Sequence, residues 1–260
     1  MTRDLRRLLI TPGRLVAGPS AGAELELDRQ ELHYLTRVLR LRPSDRFAVV
    51  DGAGSLWTAL LGHADQALLE QDPSSPLAFE PPAAPPLQLA LALPKRDADV
   101  LLRMACELGV DRFTPLKAER SVAADSLKPE RAEAILREAV EQCERLWQPQ
   151  LESLRPAADL LGAGPPGGSC RGLICTTRRP GLALLAQALE HLGGPPGASE
   201  PLTVAIGPEG GWTPAEEALA LAQGWQPVSL GTTILRCSTA AVTAAGLLSH
   251  WRAQQTGVPS

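Results

Sequence analysis

The stretch from Leu202 to Gly246 constrains this chain most, because it holds two glycine-containing loops that each follow a short apolar run and lead into a helix. Its first five residues, LTVAI, have the apolar and β-branched pattern of a buried strand. The sequence GPEGG then interrupts that strand. Thr213 and Glu216 form a capping box with Pro214 at the first helical position, so a helix is predicted to begin there.

A second strand–loop–helix unit follows directly. Residues 227–230 predict a short strand, and the loop from Gly231 to Arg236 leads to a helix of small residues that Ser238 or Thr239 could cap. Two such units side by side place both loops at one end of a parallel sheet, which is where α/β proteins bind ligands. Taken alone, each loop is equally well explained as an ordinary strand-to-helix turn.

The N-terminal region predicts a small β-barrel with one helix. Apolar runs at residues 47–50, 56–61 and 68–69 predict strands, and Asp51–Gly54 between the first two predicts a hairpin turn. A helical period runs from Glu31 to Leu41. We therefore predict a first domain over residues 1–72.

A proline-rich segment, residues 73–86, is predicted to be a linker or an ordered crossover. After it, apolar strand patterns alternate with helical patterns through residues 87–253, and a tail follows at 254–260. One helix is predicted to bury Val100, Leu101, Met104, Ala105 and Leu108 and to end at Gly109. Alternating strands and helices indicate an α/β domain with a mostly parallel sheet covered on both faces.

Composition limits the functions that this chain can have. Aromatic residues make up 3% and the formal net charge is -4, so a general nucleic-acid coat protein is disfavoured. Arginines are nevertheless concentrated near the N-terminus, where they form either a solvated surface or a face that contacts phosphates: Arg3, Arg6, Arg7, Arg14, Arg29, Arg37, Arg40, Arg42 and Arg46.

The sequence lacks the residue patterns of several common kinds of functional site. The five cysteines contain no CxxC pair, so neither a disulfide framework nor a metal site is expected. The phosphate-loop and dinucleotide patterns are absent, as is GxSxG. Cys237 next to Arg236 is either a thiol of lowered pKa or, the favoured interpretation, a buried and inert one. No apolar segment suits a signal peptide or a membrane span, so we expect a cytoplasmic protein without membrane contact.

Two motifs together carry a resemblance to a known family. GPEGGWTPAE at residues 207–216 and LGTTILRCSTA at residues 230–240 resemble the paired motifs of the SPOUT methyltransferases, and in particular those of the RsmE family. HYLTRVLRLRPSD from His33, ELGVDRFTPLKAERS from Glu107 and EAVEQCERLWQP from Glu138 are also similar to that family. The resemblance thus covers nearly the whole chain, in order.

The resemblance implies a fold, an activity and partners. Family members methylate N3 of a uridine in 16S ribosomal RNA of the small subunit, using S-adenosyl-L-methionine. The implied fold is a PUA-like β-barrel followed by a SPOUT α/β domain with a C-terminal trefoil knot, assembled as a homodimer. General topology rules do not predict a knot, because knots are rare; only the resemblance does.

The resemblance also assigns residues to the site. Those expected to bind the cofactor are Thr176, Ile206, Gly207, Pro208, Glu209, Gly210, Gly211, Leu230, Gly231, Ile234, Leu235, Arg236, Ser238 and Ala240. Arg120, Arg145 and Arg236 are candidates for contacts with uracil or phosphate, and Glu209 is a candidate base; an ion pair or a helix-end contact is the alternative for each arginine. Arg3, Arg7, Arg14, Arg37 and Arg40 are expected to contact the RNA backbone.

The sequence departs from the family at one position of interest. Ser238 stands where the family usually has glutamate, which puts the role of that carboxylate in question here. One alternative hypothesis is therefore an RNA-binding or ribosome-assembly protein with weakened catalysis. Others are a SPOUT methyltransferase acting on another RNA position or on ribose oxygen, and a nucleotide-binding oxidoreductase, which the missing glycine fingerprint disfavours.

Overall fold

The computed structural model describes residues 5–15, 23–122, 127–166, 171–177, 179–192 and 199–256. The chain divides into two compact units. One consists of Met1–Pro82 with Arg137–Gln148, and the other of Ala83–Leu136 with Pro149–Ser260.

The regular elements alternate along the chain. The helices are α1 (Arg29–His33), α2 (Ala98–Glu107), α3 (Pro129–Cys143), α4 (Ala157–Gly162), α5 (Leu185–His191), α6 (Pro214–Ala222) and α7 (Cys237–Thr256), with a π-helical turn at Tyr34–Val38. The strands are β1 (Arg7–Leu9), β2 (Glu24–Glu26), β3 (Arg46–Val50), β4 (Ser55–Leu61), β5 (Gln66–Leu69), β6 (Ala78–Phe79), β7 (Leu87–Leu91), β8 (Arg112–Lys117), β9 (Gln150–Leu151), β10 (Arg155–Pro156), β11 (Gly172–Cys175), β12 (Ala183–Leu184), β13 (Leu202–Ile206) and β14 (Gln226–Ser229).

The first unit is a six-stranded sheet with a short helix against it. Its strands follow the order β1-β3-β4-β5-β2, with β6 on β4, and the predicted hairpin joins β3 to β4. Phe47, Trp57 and Leu35 belong to its buried core. The predicted helix over 31–41 is divided, since the α-helical turns of α1 give way to the π-helical turn while Leu35 stays buried.

The second unit is built on a parallel sheet, as predicted. The strand order is β10-β8-β7-β13-β11-β14-β12, with β9 on β8, and these pairings are parallel. Strands β7 and β13 lie in the middle and are buried along their whole length, which explains their continuous apolar runs. Polar side chains also cross this middle: Thr203 donates to Gln88 at 3.0 Å, and Gln88 donates to Thr114 at 2.7 Å.

Two local predictions were wrong. Helix α7 begins at Cys237, and the amide of Ala240 already donates to the carbonyl of Arg236 at 2.8 Å, so Ser238 and Thr239 lie in the first turn instead of capping it. Helix α2 buries Leu101, Leu102, Ala105 and Cys106, whereas Val100 and Met104 are exposed. The predicted end of α2 is confirmed, because Gly109 follows the C-cap with φ +88°.

Candidate functional site

The site lies where three neighbouring parallel strands end. Strands β13, β11 and β14 are adjacent in the sheet, and the chain leaves each at its carboxyl end toward the same edge. The loops after them, together with the start of α7, line a cleft, which we call the glycine cleft. This is the edge at which two glycine loops were predicted to meet.

The first loop packs against a buried tryptophan. The indole Nε1 of Trp212 donates to the carbonyl of Cys175 at 3.0 Å, which ties the loop to the end of β11. A Cβ on Gly207 would lie 3.0 Å from Trp212 Cε2, closer than ordinary contacts allow. Residue 207 is therefore glycine because the indole covers it, and the loop backbone is left facing the cleft.

Arg120 holds the same loop through two hydrogen bonds to its backbone. Its Nη1 donates to the carbonyls of Gly210 at 3.1 Å and Trp212 at 3.2 Å. A Cβ on Gly210 would lie 3.1 Å from Arg120 Cβ, and Gly211 has φ +71°. The guanidinium of Arg120 thus holds the loop, and Arg120 also lines the glycine cleft, so its contact with uracil or phosphate stays a prediction.

Glu216 joins the segment before Arg120 to helix α6. In the predicted capping box, Thr213 accepts from the Glu216 amide, and Glu216 Oε2 accepts from the Thr213 amide at 2.8 Å. Its other oxygen, Oε1, accepts from the amide of Glu119 at 2.9 Å. One buried carboxylate therefore fixes both the start of α6 and the segment that carries Arg120.

The second loop offers backbone and apolar surface. Gly231 has φ +141°, and no atom lies within 4 Å of a Cβ built on it or on Gly211. Ser229 Oγ bridges the loop by accepting from the amide of Gly231 at 3.2 Å and donating to its carbonyl at 2.9 Å. Ile234 is 64% exposed beside it. The two loops thus leave open backbone at positions where only glycine is unstrained.

Polar side chains at the end of β11 complete the cleft. Thr176 donates a hydrogen bond to Glu217, and both line the cleft. Sequence reasoning missed Glu217, because its neighbour Glu216 explained the capping box and no local pattern marked the next carboxylate. Thr177 and Trp212 also line the cleft and were missed.

The two cysteines of the cleft have raised pKa values, which disfavours the reactive thiolate form. Burial raises the pKa of Cys175 to about 12. Burial, with a smaller effect of the Glu209 charge, raises the pKa of Cys237 to about 12, and its Sγ donates to the carbonyl of Ala92 at 3.1 Å. Cys237 is buried, as the favoured interpretation expected.

Most residues assigned to cofactor binding come together in the glycine cleft. They are Thr176, Ile206, Gly207, Pro208, Glu209, Gly210, Gly211, Leu230, Gly231, Ile234, Leu235 and Ala240. Arg236 and Ser238 instead line a neighbouring hollow, here called the second hollow, together with Leu93, Pro94, Lys95, Arg96, Asp97, Ser121, Val122, Pro208 and Glu209.

The other predicted site residues belong to the first unit. Arg145 lies there and is half-buried. Arg7 is buried in β1 and pairs with Glu144 at 3.0 Å, and Arg14 pairs with Glu31, so their surroundings do not favour the RNA contacts predicted for them. Arg37 and Arg40 are exposed, and Arg3 lies outside the described residues. Their role in RNA binding stays a prediction.

Neither a cluster of metal-ligating side chains nor a membrane-spanning helix occurs in the described ranges. They contain no group of three or more His, Cys, Asp or Glu side chains that could hold a metal ion. No helix among them is both long enough and apolar enough to cross a membrane.

The fold and the cleft define the class of the protein as an α/β domain with a cleft at the carboxyl edge of its parallel sheet, where such domains bind ligands, preceded by a strand-rich unit. A family model described as an RNA methyltransferase domain matches residues 81–249, and one described as an RNA methyltransferase PUA domain matches residues 27–69. The chain therefore belongs to the RsmE family of RNA methyltransferases. These matches confirm the predicted PUA-like first domain and the SPOUT-like α/β domain; the trefoil knot stays a prediction.

Individual relatives are similar to this chain over most of its length. Ribosomal RNA small subunit methyltransferase E of Synechocystis sp. is 38% identical over 248 residues, 92% of this chain and 75% of that protein. The protein of the same name from Mycobacterium bovis is 29% identical over 246 residues, 90% of this chain and 91% of its own. The crystal structure of a Ribosomal RNA small subunit methyltransferase E from Neisseria gonorrhoeae bound to S-adenosyl methionine is 26% identical, with a TM-score of 0.76, and covers 95% of this chain and 98% of that one.

Proposed function

We propose that this protein transfers a methyl group from S-adenosyl-L-methionine to N3 of a uridine in 16S ribosomal RNA of the small subunit. The observation that carries the proposal is the glycine cleft at the carboxyl ends of β13, β11 and β14. Family membership and the cofactor named for the Neisseria gonorrhoeae structure support the choice of methyl donor. The uridine and its N3 atom come from the sequence resemblance.

The residues of the cleft fit this cofactor. Open backbone at Gly211 and Gly231 lets peptide groups approach a purine edge, and Leu230, Leu235 and Ala240 supply apolar walls for its rings. Glu217 supplies a carboxylate suited to an ammonium or to ribose hydroxyls. When bound, the cofactor supplies a methyl group on a positively charged sulfur.

Methylation at N3 requires the N3 proton to leave. The uridine N3–H is a weak acid, so the reaction needs a proton acceptor and stabilisation of the charge that develops on the uracil oxygens. Arg236 and Glu209 both line the second hollow, next to the glycine cleft. We assign charge stabilisation to Arg236 and proton acceptance to Glu209, directly or through a water molecule.

Two measurements test this function. Calorimetry should detect S-adenosyl-L-methionine binding to the purified protein, and absence of binding at millimolar cofactor would remove the methyltransferase proposal. Mass-spectrometric mapping of small-subunit ribosomal RNA should show that N3-methyluridine disappears in a deletion strain and returns with the plasmid-borne gene. If the modified uridine persists without the gene, the substrate assignment is wrong.

A second candidate function has one observation in its favour. Ser238 lines the second hollow where the family usually has a carboxylate, so this chain could bind RNA with weakened catalysis. Cofactor binding without methyl transfer to unmodified small subunits would select this alternative. Transfer to a different atom would select a relative with another RNA target.

We further propose a cytoplasmic homodimer, since the ribosomal substrate lies in the cytoplasm and the family resemblance implies a dimer. Val100 and Met104, 47% and 40% exposed on α2, are the apolar side chains we assign to the contact with a second copy. Sedimentation analysis should show a dimer for the natural chain and a monomer for Met104→Glu. A natural chain that sediments as a monomer would contradict the dimer.

A further inference from the structure

The second hollow lies beside the glycine cleft along the same sheet edge. Strands β8, β7 and β13 are neighbours, and their carboxyl ends lead into residues 118–122, residues 92–97 and the loop from Gly207. These segments, with the first residues of α7, enclose a volume of about 350 Å³. Pro208 and Glu209 line both the hollow and the cleft, so these two residues form the wall between them.

The side chains of the second hollow carry an excess of positive charge. Lys95, Arg96 and Arg236 are its cations, and Asp97 and Glu209 are its carboxylates. All three cations are exposed, and in the described part of the chain none of them belongs to an ion pair. Exposed cations without partners remain available to an anionic ligand.

The hollow also offers apolar surface to a base. Leu93 is half-buried in it, and Val122 is 84% exposed at its edge. Apolar surface next to several donors matches a nucleotide, which has a flat base and a charged backbone, better than it matches a free inorganic anion.

We propose that the second hollow holds the target nucleotide of the RNA, with Lys95 and Arg96 binding the phosphates that flank it. This inference rests on the proposed function, because it places the acceptor base across Pro208 and Glu209 from the methyl donor. The base then lies beside Glu209 and Arg236, while Lys95 and Arg96 hold the backbone without contacting the reacting atoms. Lys95 and Arg96 are therefore positioning residues.

The test uses the full-length protein, unmodified small ribosomal subunits and S-adenosyl-L-methionine. Lys95→Ala and Arg96→Ala are compared with Lys128→Ala, which removes one exposed cation of the same unit outside both the cleft and the hollow. Affinity for the subunits is measured over a range of salt concentrations, and cofactor affinity by calorimetry. Removing one cation that binds a phosphate should lower the slope of log affinity against log salt by about one.

We expect each hollow variant to bind subunits roughly tenfold more weakly at low salt, with the reduced slope, while its cofactor affinity stays within about twofold of the natural chain. Lys95→Arg should restore binding, because it keeps the charge. Affinity and slope equal to those of Lys128→Ala would overturn the proposal. A parallel loss of cofactor affinity would also overturn it, since the hollow would then belong to the cofactor site.

Two further outcomes distinguish failure of the RNA-site proposal from failure of the proposed function. If the variants lose binding of inorganic phosphate but keep the natural affinity for subunits, the hollow binds free anions and the proposal is overturned. If the natural chain transfers no methyl group while the hollow variants still lose subunit binding, the proposed function fails and the RNA site stands.

Discussion

Glu141 gives a quantitative test of how the first unit is held together. Burial raises the pKa of this carboxyl to about 7, against an ordinary value of 4.5, although the amide of Leu9 donates to its Oε1 at 2.9 Å and Arg137 and Tyr34 act in the opposite direction. The nearby charge of Glu138 raises the pKa further. The same cluster raises the pKa of Tyr34 to about 12 through burial and the Glu141 charge.

The direction in which the free energy of unfolding changes with pH follows from the linkage between protonation and folding. Below pH 4.5 the carboxyl is protonated in both states, and its full contribution to stability is present. As pH rises from 4.5 to about 7, the unfolded chain ionises first, so this contribution is lost progressively. Because one pKa unit corresponds to roughly 1.36 kcal/mol, the folded state loses about 3 kcal/mol over this window.

The assay compares Glu141→Gln with the natural chain. The free energy of unfolding is measured by urea titration from pH 4.5 to pH 8, and hydrogen exchange at the Leu9 amide reports on the local contact. Relative to Glu141→Gln, the natural chain should become about 3 kcal/mol less stable across this range. Glu133→Gln, which removes an exposed carboxylate of the same helix that has no part in the Glu141 shift, is the matched control. A constant difference between the Glu141→Gln variant and the natural chain would refute the reasoning.

Three further predictions concern the site. Gly210→Val should push Arg120 away from the loop and weaken cofactor binding at least about tenfold with the fold intact, and unchanged affinity by calorimetry would remove this loop from the cofactor site. Glu217→Gln keeps an acceptor for Thr176 but loses its charge, so cofactor affinity should fall severalfold, whereas Glu190→Gln on α5 should bind like the natural chain. Arg236→Ala should lower single-turnover methyl transfer on the order of 100-fold with little change in cofactor affinity, and a natural rate would refute its role.

Sequence reasoning predicted the place of the glycine cleft because the deciding signals are local. The capping box of Thr213 and Glu216, the strand Leu202–Ile206 and the helix end at Gly109 depend on residues at most a few positions apart, and the structure has all three. The family resemblance then supplied the ligand. Local signals alone predicted where on the sheet edge the two loops meet, but they did not predict which ligand binds there.

What sequence reasoning missed depends on contacts between distant segments. Arg120 and Gly210 are 90 positions apart, and Thr176 and Glu217 are 41 apart, so no local pattern marks these pairs. The strand order β8-β7-β13-β11-β14 is not the chain order, and it alone decides which loops become neighbours. The face of α2 was misassigned for the same reason, because what packs on Leu102 and leaves Val100 exposed is tertiary structure.

The position of Ser238 indicates which step is affected by having serine where the family usually has glutamate. Since α7 begins at Cys237, this serine lies in the first turn and does not cap the helix. Ser238 lines the second hollow and not the glycine cleft. A missing carboxylate there should therefore leave cofactor binding intact and act on the acceptor side, where Asp97 and Glu209 are the carboxylates that line the hollow with Arg236. Whether catalysis is weakened or retained then depends on whether Glu209, the candidate base, takes the N3 proton without a carboxylate at position 238.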